Sequence, residues 1–152
     1  MHSFNNLNSA TSQLSLLAID TAFDICSVAL VAAGIADARC SDSLRKHADD
    51  VLPMTEELLS THQIGIESLD FLAMVSGPGS FTGLRIGTAV VQGLAFGANL
   101  PIVCISSLAM MARSARRKSD SGNRVFTCLH AREDEFYFAI YSFDHVLTPV
   151  AE

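Results

Sequence analysis

Residues 71–98 place the tightest constraint on this chain. They run from the apolar stretch FLAMVS (71–76) through GPGSFTG (77–83) into a helical pattern from about Thr82 to Ala98. A short apolar strand, a glycine-rich turn and a helix form half of a βα unit, and such a unit needs a sheet to lie on. The flanking segments supply one. LSLLAID (14–20) and ICSVALVA (25–32) read as strands joined by a short turn, and a weaker strand follows Gly34 near 35–40. The apolar run 14–20 is expected to be buried on both faces. A helix is predicted over 48–61, with Pro53 near its first turn, where a missing N–H is tolerated. PIVCIS (101–106) is a further strand and 107–118 a helix that turns basic at its end. RVFTCL (124–129) and EFYFAIYSF (135–143) open a new strand pair. The order β-β-β-α-β-α-β-α followed by fresh strands is a mixed α/β pattern.

The glycine-rich turn has the parts of an anion site, because glycines admit close backbone approach and a helix start offers free N–H groups. Its spacing fits neither common phosphate loop. No lysine lies between Lys46 and Lys118, which excludes a Walker loop. The glycines run GxGxxxG, with Thr82 where a dinucleotide fingerprint has its third glycine. Read as packing, Pro78 and Gly79 make a tight turn, and Ser80 or Thr82 caps the helix. On a helical wheel Gly83, Gly87, Val90, Gly93, Leu94 and Gly97 fall within an arc of about 120°. That stripe predicts close approach by another element, with Arg85 and Gln92 on the opposite side.

Other chemistry is sparse. Asp20, closing the first strand, is a turn residue or a magnesium-binding carboxylate, the turn being the simpler reading. His47, His62, His130 and His145 show no HxxxH or HExxH pairing, so a zinc or iron site has little support. The four cysteines have no ligand spacing, and Cys26, Cys104 and Cys128 lie in apolar runs as small core residues do. A reducing, cytoplasmic setting fits this usage. No apolar run approaches the ~20 residues of a membrane span. The formal charge of −6 argues against general affinity for nucleic-acid backbone. Six of the ten Lys and Arg nevertheless lie between Arg113 and Arg132. The simplest account of that cluster is a solvated helix end whose cations complement the dipole.

Four stretches, LLAIDTAFDICSVAL (16–30), HADDVLPMTEELL (47–59), GPGSFTGLRIGTAVVQGLAFGANLPIVCISSLAMMA (77–112) and HAREDEFYFAIY (130–141), resemble in order the TsaB (YeaZ) family. The resemblance implies an α/β fold of the actin-like, Hsp70/sugar-kinase (ribonuclease H-like) class with a mixed sheet. It implies an N-terminal lobe over 14–119 and the start of an incomplete second lobe over 120–152, while the Ser/Asn/Thr-rich stretch 1–13 reads as a disordered tail.

It also implies a non-catalytic scaffold that pairs with the threonylcarbamoyl transferase TsaD and a TsaE-type ATPase to form N6-threonylcarbamoyladenosine at position 37 of tRNA. The chain would homodimerise when alone and meet tRNA through the complex. Asp20, Thr21, Gly77, Gly79, Ser80, Thr82 and Gly83 would be the remnant of a phosphate site, with no cofactor of its own and ATP or ADP at the junction with the catalytic partner. The helices at 48–61 and 82–98 would carry the partner interface through Val51, Met54, Thr55, Leu58, Arg85, Gly87, Val91 and Leu94. The metal-binding HxxxH of the paralogue corresponds to Ser107 and Met111. Where the family usually has Asp-Ala-Arg, this chain has His130-Ala131-Arg132. The competing reading is a nucleotide-binding or metal-dependent, glycoprotease-like hydrolase of the same fold.

Overall fold

A computed structural model describes residues 14–118 and 123–143, and the backbone of 148–151. The tail expectation for 1–13 lies outside the described residues.

Strands β1 (Leu16–Asp20), β2 (Ser27–Ala32) and β3 (Ile35–Cys40) form an antiparallel meander. Strand β4 (Phe71–Gly77) pairs parallel to β1 on its free side, and β5 (Ile102–Ser106) runs parallel to β4, giving the order β3-β2-β1-β4-β5. Along β1, burial alternates: Leu17 and Ile19 are buried and Leu16, Ala18 and Asp20 only half-buried. The strand is therefore one-sided, unlike the fully buried strand expected from its apolar run.

Helices α1 (His47–Thr61) and α2 (Phe81–Ala98) pack on the strands to form the main core. Leu17, Ile19, Val28, Leu30, Leu72 and Met74 meet Val51, Leu58, Val91 and Ala95 there. Helix α1 starts at His47, so Pro53 falls in its second turn, where its missing N–H forfeits one helical hydrogen bond. Helix α2 ends at Asn99, whose left-handed backbone (φ 55°) lets its N–H reach the carbonyls of Ala95 and Phe96.

Helix α3 (Ser107–Lys118) belongs to a second, smaller core with β6 (Arg124–His130) and β7 (Phe136–Ser142), to which β8 (Thr148–Ala151) adds an edge. Leu108, Ala112, Ala139 and Tyr141 are its buried residues. On the outer face of this sheet Phe126 stacks on Phe138 at 6.1 Å, and both rings are exposed. Of the cysteines read as core residues, only Cys26 is buried; Cys104 and Cys128 are exposed. Both sit on sparsely covered strands, where an apolar run does not guarantee burial.

A polar cluster ties β3 to α1. Asp37 accepts from Arg39 at 2.9 Å and meets His62 Nε2 at 2.9 Å, while Arg39 also bonds Glu57 at 2.8 Å. The His62 hydrogen bond, with help from Arg39, lowers the Asp37 carboxyl to about 2. A carboxylate with a depressed folded value stabilises above its unfolded value and loses that contribution as pH falls. Asp37→Asn should therefore weaken the protein at neutral pH and flatten the loss of stability between about pH 4 and pH 2. Urea midpoints measured across that range check this.

Candidate functional site

The β1–β2 turn and the entry to α2 lie against each other, and their contact determines what the glycine-rich loop can bind. Thr21 is buried, and its Oγ1 donates to the Gly83 carbonyl at 2.7 Å. The Ser80 N–H donates to the Ala22 carbonyl at 2.8 Å, and Ser80 Oγ accepts from the Gly83 N–H at 3.2 Å. The Leu84 N–H is spent on the Ser80 carbonyl at 2.8 Å. Phosphate loops work by pointing unpaired backbone N–H groups at the ligand. Here the donors of Ser80, Gly83 and Leu84 are consumed within the chain, which removes three of the N–H groups such a loop would use.

The glycines explain the closeness. A Cβ on Gly79 would collide with the Ala22 carbonyl, one on Gly83 with the Thr21 carbonyl, and one on Gly87 with Thr21 Oγ1. Gly77 serves the turn itself, with φ at +110°, a conformation that side chains resist. The predicted glycine stripe is corrected in its direction. Gly83, Gly87, Val91 and Ala95 face the core at i, i+4 spacing, while Gly93 and Gly97 are exposed with open space around them.

Asp20 is half-buried, and its Oδ1 accepts the Ala22 N–H at 2.9 Å, which is the turn role. Burial pushes its carboxyl up, against the opposing pull of that hydrogen bond and of His47. A raised carboxyl favours the folded state at low pH and opposes it once ionised. Asp20→Asn keeps the Oδ1 acceptor, so it should match or exceed the parent's stability at pH 7 and lose that advantage in acid, which thermal unfolding at both pH values measures. Ser107 is fully buried with an unpartnered Oγ, and Met111 packs partly buried against the second core. Neither offers a ligand for a hard or borderline metal. Among the described residues, no three His, Cys, Asp or Glu converge as a metal site.

The residues expected at the partner interface are mostly interior. Val51, Met54, Thr55, Leu58, Gly87 and Val91 are buried in the chain's own core, so they cannot present surface to another protein without unfolding. Leu94 is half-buried and packs against that core, while Arg85 is exposed. What α2 does present is a stripe: Phe81, Arg85, Ala89, Gln92 and Phe96. Phe81 is 69% and Phe96 92% exposed, and the Arg85 guanidinium lies 3.9 Å from the centre of the Phe81 ring. Leu52 on α1 is exposed as well. The signal for this stripe was available, since Phe81 and Phe96 share the helical side of Arg85 and Gln92. A shallow hollow of about 390 Å³ lies between Phe81, Thr88 and Gln92. A second, larger cleft of about 880 Å³ separates Phe23, Asp24 and Phe81 from His130, Arg132 and Tyr137.

Comparison with known proteins identifies the family. The family model for TsaD, tRNA N6-adenosine threonylcarbamoyltransferase, matches residues 41–150. The tRNA threonylcarbamoyladenosine biosynthesis protein TsaB of Escherichia coli K12 is 43% identical over 131 residues, which is 86% of this chain and 56% of that protein. The chain belongs to the TsaB (YeaZ) family. TsaB of Haemophilus influenzae is likewise 43% identical, over 83% of this chain and 53% of its own. YeaZ from Pseudomonas aeruginosa superposes with a TM-score of 0.84 at 37% identity, covering 92% of this chain and 66% of that one. The chain thus spans about half the length of the curated TsaB relatives it matches. With the mixed five-stranded sheet and its helices, the YeaZ match assigns the actin-like, ribonuclease H-like α/β fold. Among the described residues of this TsaB-family chain, no helix is long and apolar enough to cross a membrane.

Proposed function

We propose that this chain is a non-catalytic partner subunit in the formation of N6-threonylcarbamoyladenosine on tRNA, working in the cytoplasm beside a TsaD-type transferase and a TsaE-type ATPase. The observation that carries this reading is the contrast along α2. Its entry is closed by the chain's own β1–β2 turn, while its outer stripe stands uncovered with two exposed phenylalanines. Exposed apolar surface of that kind marks contact sites. The interface assignment accordingly moves from the buried residues to Leu52, Phe81, Arg85, Ala89, Gln92 and Phe96. Gly93 and Gly97 leave room at the helix surface for a partner helix to come close. When no transferase is present, the same stripe serves a homodimer. The chain holds no cofactor of its own, and an adenine nucleotide belongs to the junction with the catalytic subunit. The tRNA is met through the assembled complex.

Reconstitution tests the reading. Threonylcarbamoyladenosine formation by the transferase and ATPase should rise on adding this chain, and the chain alone should hydrolyse neither ATP nor peptide. Metal-dependent turnover by the chain alone, abolished by Asp20→Ala, would contradict it and restore the hydrolase alternative.

A further inference from the structure

Charge is partitioned along this chain in a way that the net value conceals. Residues 71–119 contain no Asp or Glu and carry five of the ten Lys and Arg. Four of the five are Arg113, Arg116, Arg117 and Lys118, and Arg124 follows at the start of β6. Arg113, Arg117, Lys118 and Arg124 are exposed, and no salt bridge among the described residues uses them. A helix dipole accounts for cations in the last turn only. Arg113 lies earlier on α3. Arg113 and Arg117 stand one turn apart, about 6 Å along the axis, so they present successive charges on one side. Helix α3 packs with the second core, apart from the core residues of α1 and α2.

We propose that the outer face of α3, formed by Arg113, Arg117 and Lys118, binds the phosphate backbone of RNA. The proposal rests on the tRNA reading above and names the surface that meets the tRNA. Neutralising phosphates releases counterions, which makes affinity fall with salt in proportion to the contacts made. An acidic protein segment is the competing ligand, because a groove of about 340 Å³ between Ile105, Met110, Arg113 and Arg117 adjoins the patch. Lys118 is not among the residues lining that groove, which favours an extended polyanion over a peptide seated within it.

The test is a salt titration, from about 50 to 200 mM, of the transferase–chain complex with an unmodified tRNA transcript, read by fluorescence anisotropy. Arg113→Ala/Arg117→Ala/Lys118→Ala should make the slope of log K against log salt shallower by about 2 to 3, at roughly 0.7–0.9 per lost contact. Arg117→Ala alone should change it by a little under one, which keeps the test decisive if the triple variant is poorly folded. The control Arg45→Ala/Lys46→Ala, removing exposed cations elsewhere, should leave the slope alone. Equal slopes for parent and variants would overturn the proposal. So would an unchanged RNA slope with weakened protein assembly, which would assign the face to an acidic protein segment. If the parent chain fails to join the transferase, the pairing reading falls, and the same titration on the chain alone decides the RNA face.

Discussion

Gly83→Ala should cost this protein about 2–4 kcal/mol of folding stability, in the upper range for an overpacked position. The reason is the backbone on the other side. A methyl group at Gly83 would overlap the Thr21 carbonyl oxygen and approach the His47 ring at 3.1 Å. A carbonyl in a turn cannot rotate away as a flexible side chain can. Relief requires α2 to move off the β1–β2 turn, which lengthens the Thr21–Gly83 and Ser80–Ala22 hydrogen bonds together. Better helix propensity returns about 1 kcal/mol at most. Gly93→Ala removes the same residue type from the same helix into open space. It should stabilise by about 0.5–1 kcal/mol, since alanine loses less backbone entropy on folding. Opposite signs for two glycines ten positions apart, read from urea midpoints, would establish which side of α2 is packed. A gain at both positions would contradict the close contact at Thr21.

Much of the fold follows from local patterns. The apolar runs at 14–20, 25–32 and 71–76 form the strands Leu16–Asp20, Ser27–Ala32 and Phe71–Gly77, and GPGSFTG joins β4 to α2 as a strand–helix turn should. The rotation of α2 was harder to read. Glycine is compatible with both a crowded and an empty surface, so counting Gly83, Gly87, Gly93 and Gly97 as one stripe merged two opposite environments. Which of them is crowded depends on Thr21, sixty-two residues earlier than Gly83, and no periodicity within the helix encodes that contact. The same ambiguity put core residues into the expected interface. Val51, Leu58 and Val91 have the side chains of contact residues because a core and an interface bury the same chemistry. The informative residues were Phe81 and Phe96, apolar on the side marked as outer by Arg85 and Gln92.

The second large effect belongs to that outer side. Phe81→Asp with Phe96→Asp should weaken association with a TsaD-type transferase by at least about 30-fold, the equivalent of about 2 kcal/mol for loss of a hot spot. Aspartate at either position adds a charge that a partner would have to desolvate, in addition to removing the ring. Phe81→Asp also removes the ring beside the Arg85 guanidinium. Both residues are exposed in the isolated chain, so its thermal stability should change little. Gly93→Leu offers an independent approach. Among the described residues nothing lies within 4 Å of a Cβ added there, but a partner helix lying close to that surface would meet the side chain.

Isothermal titration of the transferase into the parent chain and into the Phe81→Asp/Phe96→Asp variant tests the central claim most directly. The account predicts saturable binding by the parent and a loss of at least about 30-fold in the variant, with the circular dichroism melt of the variant unchanged. Equal affinity in a variant that remains folded would show that the outer face of α2 does not hold the partner, and would contradict the account.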